Sequence, residues 1–89
     1  MELPPTAARR QMQERFDRLR SLRDEVRLEL HLAGMEAKDL WQRLEPALDD
    51  AKRLADDVTE PSRLAMEELI EKVEKFRRTI ARRENRQHH

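Results

Sequence analysis

The sequence predicts an all-α protein: one long amphipathic helix and a shorter return helix, a helical hairpin that pairs with a second copy as an antiparallel coiled-coil homodimer. Three observations predict it. Apolar residues recur at alternating spacings of four and three, the period at which one helix buries a stripe against another. Charged residues make up 43% of the 89-residue chain and glycine occurs once, which favours solvated helices over sheets. A proline-centred interruption near residue 60 divides the pattern in two.

Residues 1–6 are expected to be a disordered arm. Pro4 and Pro5 oppose helix formation, and Thr6 carries the hydroxyl of an N-cap. Residues 7–84 form the single helical-hairpin domain. Helix 1 is expected over 7–58, the turn at 59–61 and helix 2 over 62–84, with 85–89 a disordered tail. His88 and His89 are either native or a tag remnant and carry no functional argument.

The edge of helix 1 runs through Met12, Phe16, Leu19, Val26, Leu30, Ala33, Ala37, Leu40, Leu44, Ala47, Ala51, Leu54 and Val58, with one vacancy at Arg23. Its phase survives both Gly34 and Pro46, which points to one continuous helix. Gly34 costs ~1 kcal/mol relative to Ala inside a helix. Pro46 removes one hydrogen bond and should bend the rod without ending it. Helix 2 carries Met66, Leu69, Val73, Phe76 and Ile80 at the same spacing. In the turn, Pro61 disfavours helical geometry at Glu60, and Thr59 or Ser62 can cap helix 2.

At 1.5 Å per residue the two helices would be roughly 78 Å and 34 Å long. The short one cannot cover the long one. Leu28, Leu32 and Met35 add a second stripe beside the edge, so this region wants more than one neighbour. An antiparallel overlay centred on residue 35 pairs residue i with 70 − i. It sets residues 9–23, with six Arg against Glu14 and Asp17, beside residues 45–60, with six acids against Lys52 and Arg53. Opposite charges then meet, whereas a parallel pair would stack like on like. The competing arrangement breaks helix 1 near Gly34 and uses the same contacts within one chain, as a monomeric three-helix bundle. There Gly34 would be the residue after a helix end, and Asp39 with Gln42 would resemble a capping box.

Little in the chain suggests chemistry. His31 is the only internal histidine, and its helical neighbours Arg27, Leu28, Gly34 and Met35 are not metal partners. Ser21, Thr59, Ser62 and Thr79 have no nearby histidine to activate them. A non-enzymatic protein without metal or cofactor is expected. Trp41, with Ala37, Leu44 and Leu48, is expected to form an anchor under the return helix; the alternative is an exposed contact for another protein.

The function expected is that of a structural or adaptor module that binds itself and scaffolds other helical proteins. The alternative is nucleic-acid binding by the basic ends, residues 9–23 and 72–86, through Arg9, Arg10, Arg15, Lys75, Arg78, Arg82 and Arg83. Against that alternative, the whole chain has a net charge of zero. No apolar run approaches the length of a membrane span, and MELPPTAARR lacks the apolar stretch of a signal peptide, so a cytoplasmic protein is expected.

Along His31-Leu32-Ala33-Gly34-Met35-Glu36-Ala37-Lys38-Asp39-Leu40-Trp41 the chain resembles a pattern in small uncharacterised bacterial helical-hairpin proteins. The resemblance covers helix 1 and loosely helix 2. It implies a long helix with a shorter return helix, and no activity or functional residue.

Overall fold

A computed structural model describes the backbone of residues 5–87 and the side chains of residues 6–82. All regular structure described there is helical: α1 (Pro5–Leu30), α2 (Met35–Asp49), α3 (Ala51–Asp56) and α4 (Glu60–Gln87). Asp50, between α2 and α3, keeps right-handed helical angles, so the two continue as one interrupted arm. The fold therefore has three arms, up, down and up.

α1 starts earlier than expected. Proline is pre-organised for a first helical turn, so Pro5 opens the helix and Thr6 lies inside it instead of capping it. Residues 1–4 and 88–89, parts of the expected arm and tail, lie outside the described residues. At the other end α4 runs to Gln87, past the expected stop at residue 84.

The expected continuous helix over 7–58 is not formed. α1 stops at Leu30, and the chain tightens through three bonds from each N–H to the carbonyl three residues back: His31 to Leu28 (3.3 Å), Leu32 to Glu29 (3.1 Å) and Ala33 to Leu30 (3.1 Å). Gly34 then acts as the N-cap of α2, with φ −73° and ψ 170°. Its φ is negative, so it is not the left-handed residue closing a helix. Because α2 starts at Met35, Asp39 is too far along to cap it. The molecule measures 52 × 21 × 17 Å, shorter than a continuous rod of roughly 78 Å would require.

Burial explains the break. Met12, Leu19, Leu22, Val26 and Leu30 of α1 are buried against a core completed by the other arms. Each such side chain is worth about 1.5–3 kcal/mol when removed from water. Continuing the helix would recover a few hydrogen bonds, each worth about 1 kcal/mol net. Within one chain, burial wins.

α2 runs through Pro46 as expected, and the interruption comes one turn later, at Asp50. The turn into α4 is strongly tied. The Ser62 N–H donates to Thr59 Oγ1 at 3.3 Å, making Thr59 the cap, and Ser62 Oγ donates to Asp57 Oδ2 at 2.9 Å. Ser62 is buried, and that bond satisfies it. Arg63 hydrogen-bonds Glu60 at the start of α4 and holds its carboxyl below the usual carboxylate value.

The buried face of the middle arm is rotated from the expected one. Trp41, Leu48 and Ala55 are buried, while Leu40 is exposed and Ala47 and Leu54 are half-buried. A helix between two neighbours must present a wider stripe than a two-helix edge, and the largest apolar side chain takes its centre. Leu22 likewise fills the vacancy at Arg23. The Arg23 Nε is itself buried without a hydrogen-bond partner, 3.9 Å from Asp24 Oδ1.

Charges set how the outer arms align. α1 and α4 run parallel, joined by Arg15–Glu67 (3.1 Å), Arg18–Glu74 (2.6 Å), Arg77–Glu25 (2.8 Å) and Arg77–Glu29 (3.0 Å). Glu29 is the main cause of the raised pKa of Arg77. These pairs are part-exposed, so each contributes about 1 kcal/mol or less and selects alignment more than it drives folding.

The rotated face has a direct test in urea denaturation. Trp41→Ala is expected to cost about 3–5 kcal/mol, as for a large buried aromatic. Leu40→Ala, at the position the simple heptad would bury, is expected to cost about 1 kcal/mol or less.

Candidate protein-association site

The end of the molecule that carries the 31–34 turn combines a built interior with an unburied surface. Inside, Trp41 is 3% exposed and meets Phe76 of α4, with ring centroids 5.4 Å apart and planes tilted by 37°. Such offset geometry suits the ring quadrupoles. The indole N–H donates to Glu45 Oε1 at 2.7 Å, one helical turn along α2. Arg27 of α1 reaches the same carboxylate oxygen at 3.6 Å. A buried indole, its acceptor and a cation on the facing arm thus form one chain of contacts.

The Arg27–Glu45 pair is consistent with an antiparallel register near i + j = 72, two residues from the expected overlay. It lies within one chain. Beside it a cleft of about 380 Å³ is lined by Arg27, Leu30, His31, Lys38, Trp41, Gln42 and Glu45.

Outside, Leu28, Leu32 and Met35 are 71%, 80% and 78% exposed. Leu28 lies in the last turn of α1, Leu32 in the turn that follows it, and Met35 opens α2. Leu40, 36% exposed, lies farther along the same arm. Scattered single leucines on a surface are ordinary, but several large ones within eight residues are a recognised sign of an interface.

No family model, curated protein or solved structure matches this chain. The site must therefore be read from its own geometry.

Of the residues expected at the association edge, Met12, Leu19, Val26, Leu30, Ala37 and Ala51 are buried. Phe16, Ala33, Leu44, Ala47, Leu54 and Val58 are half-buried against the same core. Within this one chain they are brought together on a common core. Leu40 is the exception and lies at the surface. Sequence reasoning left Leu22 and Ala55 off the edge. The signal was available in Trp41, Leu48 and Ala55, which keep sevenfold spacing one position beyond Leu40, Ala47 and Leu54.

The expected nucleic-acid contacts do not form one surface. Arg9 and Arg10 are exposed near the start of α1, and Arg15 is paired with Glu67. Lys75, Arg78 and Arg82 are exposed on the second half of α4, roughly 25–30 Å away along the bundle. The side chain of Arg83 lies outside the described residues. Among the described residues, no group of three or more His, Cys, Asp or Glu side chains is placed to hold a metal ion. No described helix is long and apolar enough to cross a membrane.

The Glu45 network predicts a specific coupling. Glu45→Ala strands the indole N–H and is expected to cost about 1–2 kcal/mol. Glu45→Gln, which keeps an acceptor oxygen, should cost less. In a Trp41→Phe background the Glu45→Ala penalty should shrink by at least half, as read from thermal melts in a double-mutant cycle.

Proposed function

We propose that this chain is a non-catalytic structural or adaptor module that self-associates through the end of the bundle carrying the 31–34 turn. The single observation behind this reading is the cluster of Leu28, Leu32 and Met35, largely exposed beside a well-filled core. The core does not need these side chains. Their contact with another apolar surface would release ordered water at about 25 cal/mol per Å² buried.

A second copy is the partner best supported. With a net charge of zero, two copies can bring their apolar clusters together without self-repulsion. The basic residues divided between opposite ends favour nucleic acid less, because a phosphate backbone is best met by one continuous cationic surface.

Light scattering after gel filtration tests this. The protein is expected at twice its 10.7 kDa mass at high micromolar concentration and as single chains on dilution. Leu32→Asp should abolish the larger species while shifting stability by no more than about 0.5 kcal/mol, as usual for a surface substitution. A constant 10.7 kDa species at every concentration would refute the reading.

A further inference from the structure

We propose that two copies associate by exchanging α1: the 31–34 turn straightens, α1 and α2 merge into one helix, and each α1 packs on the partner's arms. This deepens the self-association reading and rests on it. Three observations converge on the turn.

The first is phase. Leu30, Ala33 and Ala37 keep three-four spacing through the turn, so a straightened chain still presents one apolar edge. The second is that the turn is lightly held. It rests on three short-range backbone bonds, and Gly34 makes no side-chain cap on α2. No described residue has a positive φ, and a Cβ at Gly34 would meet nothing within 4 Å. Nothing in the closed form requires glycine there, although glycine makes a continuous helix less favourable.

The third is charge. Arg27 keeps Glu45 as its partner, now on the other chain, about a two-fold axis near residue 36. Every contact of the closed bundle outside the turn is conserved, as domain exchange requires.

The chain has no cysteine, so engineered thiols report cleanly. Arg20→Cys and Lys52→Cys place two exposed thiols opposite one another across α1 and the middle arm. The dimer fraction is treated with a bismaleimide of flexible spacer and run on a denaturing gel. Covalent dimers support exchange. Dimers in solution that yield only single-chain bands overturn exchange and leave self-association standing, by closed bundles meeting at their ends. Single chains at every concentration overturn both. Independently, Gly34→Ala should tighten the dimer about 30-fold, because two merged helices are each relieved of a glycine. An unchanged or weakened dimer contradicts the proposal.

Discussion

The structure depends on one requirement: the apolar edge of α1 must be covered along most of its length. Met12, Leu19, Leu22, Val26 and Leu30 supply five buried side chains from one helix. At about 1.5–3 kcal/mol each, this outweighs any single ion pair or cap in the molecule. The turn at 31–34, the rotation of the middle arm and the parallel course of α4 all serve that cover. Charges act at a finer level. Arg15, Arg18 and Arg77 find carboxylates only when α1 and α4 are aligned as they are, so they select register among packings of similar burial.

Much of this was legible in the sequence. The three-four spacing disclosed the helices, Thr59 disclosed the cap of α4, and the regular spacing of Met66, Val73 and Ile80 disclosed the face α4 buries; Glu60 and Pro61, expected in the turn, instead form the first turn of α4, where proline is well placed. The break at Gly34 was not legible. An edge that keeps phase through a turn is compatible with a straight rod covered by a copy and with a folded rod covered by itself. Periodicity records which side chains want cover, and it carries no information about which chain provides it. Gly34 itself was ambiguous, because its backbone angles are open to any residue.

The rotation of the middle arm was missed for a different reason. A two-helix edge is narrow, and Leu40, Ala47 and Leu54 satisfy it. A three-arm bundle asks for a wider stripe, and Trp41 brings more apolar area than Leu40. Its indole N–H also needs an acceptor when buried, which Glu45 supplies one turn away. The size and polarity of one side chain thus decided which neighbours went inside. The candidate association site was legible only in part: Leu28, Leu32 and Met35 stood out as a second stripe, but their exposure followed from where the chain turns. The same ambiguity of cover makes exchange between copies a small step. In the proposed exchange the two forms would share their contacts, so the balance would be set at the turn and by the entropy of bringing two chains together.

The most direct test of self-cover is a distance within one chain. Spin labels at Ser21→Cys and Arg53→Cys are measured by pulsed electron resonance, with labelled protein diluted into an excess of unlabelled copies at low micromolar concentration. Folding back brings the labels to roughly 10–20 Å, the spacing of packed helices plus the label arms. A separation of roughly 48 Å at every concentration, the length of an unbroken helix between those positions, would contradict it.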